Sequence, residues 1–193
     1  MTIRDQRFIY HLTSFDNISS ILRDGLQPRA ALAHGVFRDV ADADIIEGRT
    51  RNSLENFVPF HWFARNPFDG RVQRDRPDED FVLIAVNRGH ASQNNWRIIP
   101  SHPLAGGRFE LMSYVEGFAA IDWDLMDRRD YSNADCRHVC MSECLSPAAV
   151  PVSDFAKIYV PTEEIWQMVS RRAQDMGYSR LWVDAAPNMF SNR

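Results

Sequence analysis

Short apolar blocks alternate with polar, turn-forming stretches along the whole chain. Residues 8–12, Phe-Ile-Tyr-His-Leu, read as a short buried strand. Ser14 or Asp16 then caps a helix that places Ile18, Ile21 and Leu22 on one apolar face, and Gly25 supplies its stop. Residues 26–43 are rich in Ala, Asp, Arg and Gly without a clear period and read as loop with at most one short helix. Residues 44–51 suit a short helix ahead of another loop. Residues 58–63, Val-Pro-Phe-His-Trp-Phe, read as a strand with Pro59 at its start or on a sheet edge, because proline donates no ladder hydrogen bond.

Residues 69–80 are dense in charge and read as a turn region, whereas 81–86, Phe-Val-Leu-Ile-Ala-Val, form the strongest core strand of the sequence. A loop over 100–107 leads to an apolar stretch at 109–118 that fits helix or strand, then to a polar loop at 127–135. Residues 138–145 read as a strand with alternating faces, and 155–160 as another. Pro161 and Thr162 open an amphipathic helix carrying Ile165, Met168 and Val169, which Gly177 ends before a last strand at 180–184. Several short strands with helices in irregular order predict an α+β fold, not a doubly wound α/β sheet. No repeat or low-complexity tract interrupts the pattern.

Composition narrows the picture further. With 193 residues, 45% apolar and 25% charged, the chain has the length of one domain spanning residues 1–193 and the make-up of a soluble globular protein. No apolar run approaches a membrane span and the first residues carry no signal-peptide pattern, so a cytoplasmic protein without membrane contact is expected. Three cysteines in one cluster suit a reducing compartment. A net charge of −4 argues mildly against a high-affinity nucleic-acid binder. Against that, Lys157 is the only lysine, and arginine's planar fork suits phosphate.

Familiar chemical signatures are missing: there is no GxGxxG, Walker A loop, GxSxG elbow or HExxH. The spacing Cys136-x3-Cys140-x3-Cys144 misses the C-x2-C of zinc sites, and on a strand three such thiols would share a buried face, so no metal is expected. What remains are polar residues at the ends of apolar blocks. His11 and Thr13 follow residues 8–10, Arg49 and Arg51 precede 58–60, and Glu143 sits among Cys140, Met141, Cys144 and Leu145. Each has a plain structural role open to it: a capping threonine, a solvated arginine, a glutamate on an outer strand face. A carboxylate in so apolar a setting is either on that outer face or held in a cleft for use.

In order along the chain, these segments resemble the DarT family of DNA ADP-ribosyltransferase toxins. The opening Tyr10-His11-Leu12-Thr13, continuing through Asp16, Asn17 and Ile18 to Ile21 and Leu22, is similar to the family's Y-H-[IL]-T-x-x-D-N-[IL]-x-x-I-L start. Residues 45–51 followed by Val58-Pro59-Phe60 resemble its basic segment and V-P-F motif. Residues 81–86 resemble its central strand, and Asp122-Trp123 with the following Arg-Asp pair its D-W…R-D stretch. Residues 137–145 resemble the segment holding its catalytic glutamate. The sequence departs from the pattern in a shorter loop between Arg49 and Val58, in Ser20 where some members have glycine, and in Cys-Leu-Ser after Glu143.

The resemblance implies an ADP-ribosyltransferase fold, two packed antiparallel sheets split around a cleft for NAD with peripheral helices, and NAD is substrate rather than a retained cofactor. It implies NAD binding by His11, Leu12, Thr13, Ser20 and Arg49, and catalysis by Glu143 and Arg49. It further implies transfer of ADP-ribose to a base of single-stranded DNA, guanine favoured over thymine, with Arg128, Arg129, Tyr131 and Arg137 near the catalytic strand as candidate DNA contacts. The implied partner is a DarG-like macrodomain antitoxin. Two other readings fit the same residues: transfer to RNA or protein, since acceptor choice lives in loops, or a non-catalytic module that binds NAD or ADP-ribose.

Overall fold

A computed structural model of the protein describes residues 1–32, 38, 53–102 and 110–191. Its strands are β1 (Phe8–Ser14), β2 (Val58–His61), β3 (Phe81–Asn87), β4 (Arg97–Ile99), β5 (Glu143–Ser146), β6 (Phe155–Val160) and β7 (Val183–Ala185). They form one seven-stranded sheet in the order β4-β5-β2-β1-β3-β6-β7. Every pairing is antiparallel except β6 with β7, which is parallel. The helices are α1 (Ile18–Asp24), α2 (Pro67–Asp75), α3 (Arg88–Gln93), α4 (Tyr114–Ala120), α5 (Trp123–Arg128), α6 (Ala134–Val139) and α7 (Glu163–Asp175).

The expected α+β fold is present, and its split takes a particular form. β1 pairs with β3 along all seven of its residues, from Phe8↔Asn87 to Ser14↔Phe81. It meets β2 at one pair, Tyr10↔His61. Two half-sheets, β4-β5-β2 and β1-β3-β6-β7, are therefore hinged edge to edge at that pair. The two faces carry different cores. Ile9, Phe60, Val82, Ile84, Val86, Ile98 and Cys144 point into the larger one, with α1 and α7 contributing Ile18, Leu22, Ile165 and Val169. Tyr10, Leu12, Phe81, Leu83 and Ala85 point the other way, covered by Val72 of α2 and by Phe190. The period-2 alternation along β1 and β3 is what makes two cores possible.

α1 follows the sequence reading closely. Ser14 Oγ accepts from the Asp16 N–H at 3.3 Å, Ile18, Ile21 and Leu22 are buried, and Gly25 ends the helix. Its φ of 77° and the 2.6 Å from a Cβ at that position to the Val150 carbonyl oxygen leave no room for another residue. α7 starts at a Thr162 cap, and Gly177, at φ 87°, follows its end.

Three expectations need correction. Residues 69–80 are not all turn: α2 covers the first part, because Asn66 Oδ1 caps the Asp69 N–H at 2.9 Å and Pro67 takes the first helical position. Its buried residues are Asp69 and Val72, too few for an apolar period to show. The polar loop at 127–135 is framed by the end of α5 and the start of α6. Residues 138–145 are not one strand: α6, capped by Asn133 on the Cys136 N–H at 2.9 Å, runs to Val139, and β5 begins only at Glu143. The ambiguous stretch at 109–118 resolves at its end into α4, fixed by a capping box between Ser113 and Glu116. Residues 88–99, to which the pattern assigned nothing, hold α3 and β4. The helix expected over 44–51 lies outside the described residues.

Candidate active site

Where β1 and β2 part, the sheet opens. Past Tyr10, β1 continues on β3 through His11↔Ile84, Leu12↔Leu83 and Thr13↔Val82. β2 instead follows β5 through Phe60↔Cys144 and Pro59↔Leu145. Two neighbouring strands that share one pair and then keep different partners part from one another between residues 11–14 and 57–60. The His11 side chain reaches across from β1 to β2: Nδ1 lies 2.8 Å from the Pro59 carbonyl oxygen, and the ring sits 5.7 Å from that of Phe60. A carbonyl can only accept, so Nδ1 carries the hydrogen.

The remaining NAD-binding candidates fall around this opening. Thr13 is fully buried, and its Oγ1 accepts from Asn17 Nδ2 at 3.1 Å. The Leu12 side chain packs in the smaller core, so what it offers the cleft is its main chain. Ser20, half-buried on α1, donates its hydroxyl to the Asn17 carbonyl at 2.8 Å, which spends that donor inside the start of the helix. Arg49 and Arg51 lie outside the described residues.

Glu143 is the first residue of β5 and is 6% exposed. The chain reaches it through a tight turn after α6, in which the Met141 and Ser142 N–H groups donate to the His138 and Val139 carbonyls. β5 is held on both sides, with Glu143 opposite His61 of β2 and Ile99 of β4. Tyr10, His61, Glu143 and Ile99 therefore form one row across four strands, and directly paired residues share a face. The glutamate is thus not on a solvated outer face. It stands two strands, about 10 Å, from the hinge residue Tyr10, on a strand paired on both sides. Burial pushes the Tyr10 hydroxyl up to about 12, so it stays neutral. The sequence offered no role for His61 or Asn17. A histidine inside an apolar strand block and an asparagine just past a strand end were the available signals.

The candidate DNA contacts are less concentrated. Arg128 is exposed; Arg129 lies over the Phe63 ring at 5.1 Å. The Tyr131 hydroxyl donates to the Arg65 carbonyl at 3.3 Å, and Arg137 reaches the Tyr131 carbonyl at 3.5 Å. The three cysteines do not share a strand: Cys136 lies in α6, Cys140 caps it and Cys144 lies in β5. All are buried, with the Cys136 and Cys140 thiols donating to the Leu125 and Met126 carbonyls at 3.1 and 3.5 Å. Burial pushes the Cys140 thiol up to about 12 and Cys144 higher still, which suits packing rather than ligation. Among the described residues no group of His, Cys, Asp or Glu could hold a metal ion, and no helix is long and apolar enough to cross a membrane.

Comparison with known proteins agrees with this fold. The structure of Thermus sp. 2.9 DarT in complex with ADP-ribosylated ssDNA superposes with a TM-score of 0.79 at 21% identity, covering 96% of each chain. That of the same enzyme with NAD+ gives 0.76 at 18% identity, covering 97% of this chain and 98% of the other. Thermosipho africanus DarTG in complex with ADP-ribose gives 0.76 at 20% identity, and this chain spans 51% of its length. Curated proteins yield no match. Residues 10–191 match the family described as "ssDNA thymidine ADP-ribosyltransferase, DarT". The chain belongs to the DarT family of NAD-dependent single-stranded DNA ADP-ribosyltransferases.

Proposed function

We propose that residues 1–193 act as one catalytic domain, a toxin that moves ADP-ribose from NAD to a base of single-stranded DNA, with Glu143 and Arg49 as its catalytic residues. The observation that carries this reading is a glutamate buried in the cross-sheet row beside Tyr10↔His61, the single strand pair that joins the half-sheets among the described residues, next to the proposed cleft that His11 and Thr13 border. In the reaction the bond from the ribose C1′ to the nicotinamide nitrogen breaks, a bond from C1′ to a base nitrogen forms, and the base gives up a proton. Glu143 accepts a hydrogen bond from the nicotinamide ribose hydroxyl and steadies the oxocarbenium-like cation as nicotinamide leaves, as carboxylates do opposite cationic sugars. Preorganised charge of this kind is worth on the order of 3 kcal/mol of barrier.

His11, Leu12, Thr13 and Ser20 would hold NAD, largely through main-chain groups at a strand end and helix start, without burying a further charge. Arg49 would face the NAD phosphates and favour loss of the base proton electrostatically; arginine keeps its own proton at any working pH. A base hidden in a duplex is out of reach, so the acceptor is single-stranded or flipped out. The sequence reading favours guanine, while the family description names thymidine. The DarTG relative supports a macrodomain antitoxin of the DarG kind as partner. The protein acts in the cytoplasm, where NAD and DNA are both present.

Mass spectrometry of dG- and dT-bearing oligonucleotides after incubation with NAD tests the reading and names the base. Wild type should add one ADP-ribose, and Glu143→Gln, which keeps shape but loses charge, should be almost inactive while still binding NAD. Modification by Glu143→Gln at the wild-type rate would sink the mechanism. Labelling of RNA or lysate protein in place of DNA would move the acceptor.

A further inference from the structure

We propose that Asn17 is a positioning residue for NAD, clasping the strand end that carries Thr13 to the chain at Arg38. The inference rests on the proposed NAD cleft. Asn17 is 2% exposed, and its side chain uses both faces of its amide. Oδ1 accepts the Arg38 N–H at 3.0 Å, while Nδ2 donates to the Arg38 carbonyl at 2.9 Å and to Thr13 Oγ1 at 3.1 Å. Its own carbonyl accepts the Ser20 hydroxyl at 2.8 Å. One buried residue thus touches two of the NAD-binding candidates, Thr13 through its side-chain amide and Ser20 through its main-chain carbonyl, and a point eleven residues before a third, Arg49.

The amide fixes directions as well as places. A hydroxyl that accepts from Asn17 on one side has its hydrogen turned to another, so Asn17 restricts the directions in which Thr13 can donate. The two bonds to Arg38 mimic a strand pair and hold that residue's main chain irrespective of its side chain. The Arg38 guanidinium adds ion pairs to Asp16 at 2.9 Å and to the buried Glu79 at 3.1 Å, and Arg76 approaches Glu79 at 3.7 Å. Asn17 links all of this to Thr13 at the strand end, beside the Arg38–Asp16 ion pair. Its side chain is directed at protein groups, so it acts through Thr13 and Arg38 and does not itself touch the reacting atoms.

The test is calorimetric NAD binding and steady-state kinetics for wild type, Asn17→Ala and Asn17→Asp, each well below its own unfolding transition. Asn17→Asp keeps the shape and the acceptor for the Arg38 N–H but sets an oxygen against Thr13 Oγ1 and the Arg38 carbonyl. Both variants should bind NAD on the order of tenfold or more weakly, the size expected when one or two hydrogen bonds stop ordering a site. KM for NAD should rise more than kcat falls. Adding Thr13→Val to Asn17→Ala should cost little more, because the hydroxyl has already lost its orientation. Variants that are less stable yet bind NAD as tightly as wild type would overturn the clasp and leave Asn17 a structural residue. Failure of the wild type itself to bind NAD would instead overturn the NAD cleft.

Discussion

Replacing Asp69 with asparagine should stabilise the protein by an amount that grows with pH. Asp69 is 1% exposed at the start of α2, and its carboxylate is poorly satisfied there, with the Asn66 side chain the group that offers it a hydrogen bond. Burial pushes its carboxyl from 3.8 up to about 8, with the Asn66 side chain acting against the shift. The native state therefore keeps a proton that the unfolded chain releases between about pH 4 and pH 8. The contribution to stability is fully present below the unfolded pKa and is lost as pH rises through the folded one. Each pH unit in that window is worth about 1.4 kcal/mol. At neutral pH the wild type has given up on the order of 4 kcal/mol relative to acid, an upper bound because buried sites relax and admit water. Asparagine is costly to bury too, but that cost does not titrate. The free-energy difference between Asp69→Asn and wild type should widen by about 1 kcal/mol per unit from pH 5 to 8, as read by urea unfolding. All other groups titrate alike in both proteins and cancel. A difference that stays flat across the range would show the carboxylate ionised and satisfied, and the reasoning would fail.

Gly117→Ala should destabilise by about 1–3 kcal/mol, against the usual helix gain, because the new Cβ would lie within 2.5 Å of Ile98 Cβ; an unchanged or raised melting temperature would contradict the close approach of α4 to β4. NAD at 100 times its dissociation constant should stabilise the fold by about 2.7 kcal/mol without DNA, and no thermal shift at millimolar NAD would count against the cleft. Arg49→Ala should abolish DNA modification with the fold intact, and Arg49→Lys should restore little, since an ammonium lacks the guanidinium fork. A dead Arg51→Ala beside an active Arg49→Ala would exchange their roles.

The strands were legible where burial on both faces forces an unbroken apolar run. Residues 81–86 had to be a central strand, and β3 does lie between β1 and β6, buried throughout. α1 was legible because cap, apolar spacing and glycine stop all fall within a dozen residues. α2 was hidden for the opposite reason. It is held by an asparagine cap, a proline and one buried valine, and its buried aspartate reads in sequence as a solvent marker. The region before Glu143 misled because cysteines four apart share a face in a strand and also lie together on a helix, so spacing could not separate α6 from β5.

The site was legible only through order. His11, Thr13 and Glu143 are unremarkable singly, and local pattern does not say that the strands carrying residues 11 and 143 lie so near in one sheet. Their relation passes through strand register: Tyr10 meets His61, and His61 meets Glu143. A one-residue slip in either pairing would turn the glutamate to the opposite face, into the core that Phe60 and Cys144 fill. A misplaced carboxylate there would be buried among apolar side chains at a cost of several kcal/mol. The apolar residues beside Glu143 therefore do more than surround it. By claiming the other face for Cys144 and Phe60, they fix the register that holds Glu143 in one row with His61 and Tyr10.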